Sequence, residues 1–568
     1  MDKKDLIAIS AGKTPAPLVL KNASVINVFS EEVIKSDIAI AEGFIVGIGQ
    51  YQGDNEIDLA GKYVCPGFID GHMHLESSLL RPDEFEKAVL PRGTTAVVAD
   101  PHEIANVSGT TGIDYMRAVT KQLSMHTFFT LPSCVPSGPL DEPGATLKAM
   151  DLKPYYRKNN VVGLAEVMDA PGVISCDSDL LQKIADAYEA NRLVDGHAPG
   201  LSGKELNAYI ASGILSDHEC STKEEAMERL RLGQWIMVRE GTAAKNLEAL
   251  LPVCKPPFYH RAMFVTDDRH PEDLTHLGHI DAVIRKAISH GVDPIHAIVM
   301  ATINPASYFR LPHLGAVAPG YKADLVVLSD LISVAVDEVY VDGVKVAKKG
   351  VMIHPSTYEV TPPPSILHSF HMKPVHPCDF RLPPLGDKVR VIQMHPHELL
   401  TSEEIMDTST ALSSDEVAKI AVIERHHHLD HIGLGLLKGY GLKKGAVATS
   451  VAHDTHNLIV VGQNDDDMAI AANRALEIQG GLILVNDGKV LSELPLTIAG
   501  LMSPLPMEDV TKRLVTLKEH ALSLGISEDI DPFMTLAFMS LPVIPKLKIN
   551  SRGLIDVEKQ QIVDISIV

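Results

Sequence analysis

The sequence predicts an α/β protein: a (β/α)8 TIM-like barrel, a small β-domain assembled from both of its flanks, and an additional C-terminal α/β domain. Three observations predict it. Short apolar runs alternate with helix-like segments through residues 63–312, which is the rhythm of a barrel of about 250 residues. Val/Ile-rich runs broken by Asn, Ser and Gly precede that block and return after it, so the two flanks pair into one sheet domain. Beyond a proline-rich stretch, strand and helix signals resume to the end of the chain.

Residues 1–62 hold the first part of the small β-domain, in PLVLKNASVINVFS and the runs that follow it. The barrel strands are expected at 63–70, 94–100, 126–132, 161–167, 192–197, 213–218, 234–240 and 262–268. Helices fall between them, as in SDLLQKIADAYEAN (178–191) and STKEEAMERLRLG (221–233), with Ser or Asp at their starts and Asn or Gly at their ends. A doubly wound open sheet is the competing architecture, but no phosphate-binding glycine fingerprint follows the first strand. Residues 313–355 return to the β-domain, 356–389 are a linker carrying Pro362, Pro363 and Pro364, and 390–568 form the third domain.

The chain's bulk properties narrow the functional classes. Against 51 Lys and Arg stand 73 Asp and Glu, a net charge of −22, which argues against nucleic acid or an anionic membrane as partner. Six scattered cysteines show no disulfide framework and no Cys-based zinc spacing. No long apolar run is present, and the expected compartment is the cytoplasm.

The chemistry is expected at the barrel mouth, where the C-terminal ends of the strands converge. The first strand runs into His72 and His74. An H-x-H arises by chance roughly once in a chain this rich in histidine, and His395 and His397 form a second one. The rest of the mouth decides between chance and chemistry. Reading the strand ends in order adds Glu166, His197, His218 and Asp267. A lone histidine at a strand end is ordinarily a hydrogen-bonded polar residue, but six donors in matching positions are a different matter. Four imidazoles and two carboxylates suit Zn, Fe or Mn and suffice for two ions. On an extended segment His72 and His74 point the same way and reach one ion. Glu166 can join two cations through its two oxygens. Asp267 can ligate one metal and accept a proton from bound water.

PGFIDGHMH (66–74), with the strand-four carboxylate, the strand-five and strand-six histidines and the strand-eight Asp, resembles the amidohydrolase superfamily. APGYKADLVVL (318–328) is similar to the companion β-sandwich domain of that superfamily. More narrowly, GHMHLESS, ADPHEIANV, GLAEVMD, DGHAPG, SDHE, TDDRHPEDL and the block KGYGLKKGAVATSVAHDTHNLIVVG resemble the bacterial adenine deaminase family along essentially the whole chain. The resemblance implies hydrolytic deamination of adenine to hypoxanthine and ammonia, by metal-activated hydroxide attacking C6. It implies two divalent ions, Mn(II) or Fe(II) with Zn(II) also accommodated, held by His72, His74, Glu166, His197, His218 and Asp267. A homodimer or larger assembly is implied as well.

Glu at the bridging position, where many relatives use a carboxylated Lys, argues against dihydroorotase-like chemistry. The cytidine-deaminase pattern also fails, because Pro377-Cys378 has no second Cys after it. The alternative reading is an amidohydrolase acting on another cyclic amide or a modified purine.

Several residues have secondary expectations. Asp267 is the candidate proton shuttle, while Glu219 and Asp268 compete to contact the purine ring or to orient metal ligands. Asp100, His102 and Glu103 line the pocket, hold an extra metal position or serve a structural hydrogen-bond network. His453, Asp454 and His456, among apolar strands, either reach the barrel mouth from the third domain or bind nothing. Ser77 and Ser78 are expected to cap the following helix, and His426, His427 and His428 to be polar loop residues.

Overall fold

The computed structural model describes residues 2–396 and 399–567, and the statements below refer to these. His397, half of the second H-x-H, lies outside them; His395 Nε2 is 2.7 Å from Ser402 Oγ.

Eight parallel strands build the barrel: β1 (Phe68–Met73), β2 (Thr94–Ala99), β3 (His126–Leu131), β4 (Val161–Val167), β5 (Leu193–Gly196), β6 (Ser216–Asp217), β7 (Trp235–Arg239) and β8 (Ala262–Val265). β1 to β5 form one sheet and β6 to β8 another. Backbone contacts close both seams. Leu215 N donates to Val194 O at 3.0 Å, and Asp267 N to His72 O at 3.0 Å. A parallel bridge joins Met73 and Asp267. The interior is mostly apolar, with Ile69, Val98, Val162, Met237, Met263 and Val265 packed together. Asp195 of β5 is buried with them, accepting from Tyr308 Oη at 2.6 Å and Ser216 Oγ at 2.9 Å, and a mostly apolar filling concentrates the remaining polar chemistry at the strand ends.

Two sequence expectations are corrected here. The first strand, read as 63–70, is two strands. Tyr63–Pro66 pairs antiparallel with Leu325–Asp330 of the returning flank, and only Phe68–Met73 enters the barrel. Gly67 marks the break: its N–H donates to Asp324 O at 2.8 Å, and a Cβ there would stand 2.0 Å from Thr95 Oγ1. The sixth strand, read as 213–218, is reduced to Ser216–Asp217. Leu215 before it still bonds both neighbours, its N–H donating to Val194 O at 3.0 Å and its O accepting from Trp235 N at 2.8 Å, while the Gln234 amide donates to Ile214 O at 3.3 Å and Ser216 O at 3.0 Å.

The two flanks form one nine-stranded sheet, curled around a core that includes Leu20, Val25, Ile38, Ile40, Leu325 and Val327. The β-sandwich expectation thus takes the form of a single continuous sheet folded over its own apolar face. The proline-rich segment after it is tied to its neighbours, with Tyr358 Oη 2.7 Å from Tyr115 Oη and His371 N donating to Arg425 O at 2.7 Å.

The C-terminal part holds a second nine-stranded sheet, antiparallel except where Lys388–Met394 runs parallel to Ile432–Lys438. It also has the helices Asp465–Glu477 and Met507–Ser523 and a small three-stranded sheet. Asn464 caps the first helix by accepting from Asp467 N. This part sits over the barrel mouth. Ser503 N donates to Leu79 O at 2.8 Å, Met507 N to Glu84 Oε2 at 2.9 Å and Asn550 Nδ2 to Leu140 O at 2.8 Å. No helix among the described residues is long and apolar enough to cross a membrane.

Candidate metal centre

The six residues read from the strand ends meet at one place, and Glu166 is its middle. Its Oε1 lies 3.8 Å from His72 Nε2 and 3.3 Å from His74 Nε2. Its Oε2 lies 2.8 Å from His197 Nδ1 and 3.1 Å from His218 Nε2. One carboxylate therefore faces two histidine pairs, one oxygen to each. Asp267 Oδ1 completes the first pair, 3.8 Å from His72 Nε2 and 3.2 Å from His74 Nε2. None of the six is more than 7 % exposed.

These positions follow from local structure. His72 and His74 come from alternate residues at the end of β1, and their ring planes stand at 90° with centroids 5.0 Å apart. His74 Nδ1 donates to Asp100 O at 3.0 Å, which turns Nε2 toward Glu166 and Asp267. Asp267 follows β8 with a left-handed φ of 57°, uncommon for a residue with a Cβ. Its backbone is held there by His72 O on one side and His74 N, at 3.4 Å, on the other. Behind the two strand-end histidines of β5 and β6 lies an ion pair: Arg229 Nε donates to Asp217 Oδ2 at 2.6 Å and Nη2 to Ala198 O at 2.7 Å.

Burial alone would push the Glu166 and Asp267 carboxyls up. The imidazoles of His218, His197 and His74 outweigh it for Glu166; His74, Arg239 and His218 do so for Asp267. Both are held well below the usual carboxylate range. His72 is moved down, by burial first and then by the charge of His218. Against burial, the carboxylates around them raise His74, His197 and His218; a divalent cation would take the place of the protons these imidazoles hold, leaving anionic carboxylates and neutral nitrogens as its donors. A second observation agrees with that fit. His72 Nε2, which faces both Glu166 and Asp267, is a buried ring nitrogen with no hydrogen-bond partner in the protein, an arrangement costly for a nitrogen that has no other ligand.

His74, Glu166, His197, His218 and Asp267 of the cage form the floor of a small cavity that opens to solvent. Asp268, His102, Glu103, His453, Asp454 and Glu219 line its walls. Its upper wall is apolar, from Leu399, Phe538, Leu541 and Ile544 of the C-terminal part. His453 reaches the mouth with its ring stacked on Phe538, centroids 4.5 Å apart, and its Nδ1 2.6 Å from Glu103 Oε1.

Two predicted substrate-binding residues do not line the cavity. Asp100 stands behind it, with Oδ2 2.7 Å from His102 Nδ1. His456 is also behind the wall, where its Nε2 contacts Glu103 Oε2. Glu219 lines the wall and forms an ion pair with Arg239. Asp268 accepts from Ser77 Oγ, and its carboxyl is pushed up by burial first and by the charge of Asp267 second.

The serines correct another expectation. They occupy the turn Glu76–Ser78, and the following helix starts at Pro82 with no side-chain cap; Ser78 Oγ donates instead to Leu75 O at 2.6 Å. Of the histidine run, His426 Nε2 meets Thr455 O at 2.7 Å and His427 Nε2 meets Pro143 O at 2.9 Å, so these rings tie backbone segments together.

Arg239 was missed by the sequence reading. Its Nη1 donates to Asp267 Oδ2 at 2.8 Å while the same guanidinium holds Glu219. Its place at the end of β7 was the available signal: a lone cation closing an apolar strand whose C-terminal end faces the mouth.

The amidohydrolase family model matches residues 63–346, and the adenine deaminase C-terminal domain model matches residues 397–561. Adenine deaminase 2 of Carboxydothermus hydrogenoformans is 46% identical, covering 99% of each chain. The adenine deaminase of Bacillus pumilus is 44% identical over 99% of each chain. That of Petrotoga mobilis is 43% identical over the full length of both. With both models matched in order and these identities running from end to end, the chain belongs to the adenine deaminase family of amidohydrolases.

Proposed function

We propose that this chain hydrolyses adenine to hypoxanthine and ammonia, with two divalent cations held by His72, His74, Glu166, His197, His218 and Asp267. The observation that carries the reading is the Glu166 carboxylate facing two histidine pairs on the floor of a cavity with an apolar wall. Bound there, a pair of cations lowers the pKa of a water toward neutrality, so that hydroxide is available at ordinary pH.

The protein's own groups do the rest. Phe538, Leu541 and Ile544 offer a flat apolar surface to the purine ring, and such contacts bind a base without reading its edge. Asp268 is positioned by Ser77, and burial together with the Asp267 charge favours its protonated form, whose proton is lent to a ring nitrogen so that C6 becomes electrophilic. Asp267 Oδ2 is occupied by Arg239, which leaves Oδ1 to take the proton from the attacking water. That proton passes to the exocyclic amine, the C6–N bond breaks and ammonia leaves, while the new C6 hydroxyl returns a proton to Asp268 and becomes the carbonyl of hypoxanthine. Glu219, locked to Arg239, holds the guanidinium in place rather than touching the ring. Atoms balance as adenine plus water giving hypoxanthine plus ammonia.

The donors admit Mn(II), Fe(II) and Zn(II) alike. The test is ammonia and hypoxanthine formation from adenine by metal-free protein reconstituted with each metal in turn, beside Glu166→Gln. Turnover should require metal and fall at least about a thousandfold in the variant. Turnover that survives metal removal, or cyclic-amide hydrolysis exceeding adenine deamination, would overturn the reading.

A further inference from the structure

A second donor cluster lies beside the Glu166 cage and is not used by the reaction above. We infer that His102, Glu103, His453 and Asp454 form a further, mononuclear cation site that fastens the C-terminal domain to the barrel. It takes a divalent ion of the Zn(II), Mn(II) or Fe(II) class, since its donors are two imidazoles and two carboxylates.

Two segments more than three hundred residues apart supply the donors: the start of the helix after β2, and the turn between Ala446–Thr449 and Leu458–Gly462. His102 Nε2 is 3.5 Å from Glu103 Oε1 and 3.9 Å from Asp454 Oδ1. His453 Nδ1 is 3.9 Å from Asp454 Oδ1 and 2.6 Å from Glu103 Oε1. Donors sharing one cation through bonds of about 2.1 Å stand roughly 3.0–3.4 Å apart. Three of the four spacings thus lie within about half an ångström of that range, and the fourth must open by a similar amount.

Burial and partnership point the same way. None of the four is more than 4 % exposed, yet Asp454 Oδ2 accepts no hydrogen bond. A buried carboxylate oxygen without a donor is expensive, and a cation removes that cost.

The outer contacts are also those of a ligating set. Asp100 Oδ2 takes His102 Nδ1 at 2.7 Å, turning Nε2 and its lone pair toward Glu103 and Asp454. His456 holds the other oxygen of Glu103. Phe538 fixes the plane of His453 by stacking. The site is separate from the cage, because His102 faces Glu166 Oε1 with its opposite nitrogen, at 3.4 Å.

The experiment counts metal. Metal-free protein is saturated with Mn(II) or Zn(II), freed of excess, and measured by mass spectrometry of the metal against protein concentration. Asp454→Asn and His453→Gln should each hold one equivalent less than the unaltered chain, with a lower melting temperature only in the loaded state. Glu166→Gln should lose metal from the cage while keeping this equivalent, so the two assignments fail independently. Equal metal counts in the unaltered chain and both variants overturn the inference. If neither variant folds, anomalous diffraction from metal-soaked crystals of the unaltered protein decides: a peak in bonding reach of His102 Nε2 and His453 Nδ1 supports the site, and its absence there sinks it.

Discussion

Replacing Arg229 with Met tests the support behind two metal-facing histidines. Asp217 and Arg229 are at most 1 % exposed. At their 2.6 Å contact, an effective dielectric of about 20 gives an attraction of about 6 kcal/mol, which largely offsets the cost of burying both ions. Met fills most of the volume but strands the Asp217 carboxylate, which breaking a buried pair makes costly by about 3–5 kcal/mol. For a unit of barrel size that corresponds to a fall of roughly 6–20 °C in melting temperature. A second loss follows from geometry, because Asp217 also accepts from Glu219 N at 2.9 Å and Ala198 N at 3.4 Å, the residues after His218 and His197. Metal affinity should therefore drop about 10–100-fold. Differential scanning calorimetry of the metal-free protein and competitive titration with a chromophoric chelator measure the two effects. Asp217→Asn added to Arg229→Met should recover much of the stability by removing the stranded charge. A single variant that melts within about 1 °C of the parent, or a double variant no better than the single, would refute the reasoning.

Phe538→Ala removes the stacking surface and should raise KM for adenine about 10–100-fold, with kcat changed less, in steady-state assays of ammonia release. Asp268→Asn keeps a partner for Ser77 but has no proton to lend; kcat should fall about 10²–10⁴-fold with KM little altered. Asp531 sits beside Lys518 at 2.9 Å and His270 at 3.6 Å, where burial would raise its carboxyl but His270 and Lys518 outweigh burial and hold it far down. Asp531→Asn should cost about 3 kcal/mol near neutral pH. A group whose folded pKa is depressed stabilises above its unfolded value, so this deficit should shrink as pH falls below about 4 in pH-resolved thermal melts.

Much of the centre was legible because strand order converts sequence position into spatial position. His72, His74, Glu166, His197, His218 and Asp267 each end an apolar run, and a ring of parallel strands brings such ends together whatever lies between them. Element boundaries were less legible. Gly67 splits one apolar run between two sheets, and the Gln234 side-chain amide bonds two carbonyls beside β6; both depend on contacts with distant backbone.

From its own pattern, the chain determined the donor types, their order along the strands and the apolar periodicities that make a barrel. Tertiary structure alone decided that Arg239 ties Asp267 to Glu219, that Ser77 serves Asp268 rather than a helix, and that His453 and Asp454 reach Glu103. The physical reason is that periodicity reports which face of an element is buried, whereas pairing between side chains hundreds of residues apart depends on how separately folded sheets dock.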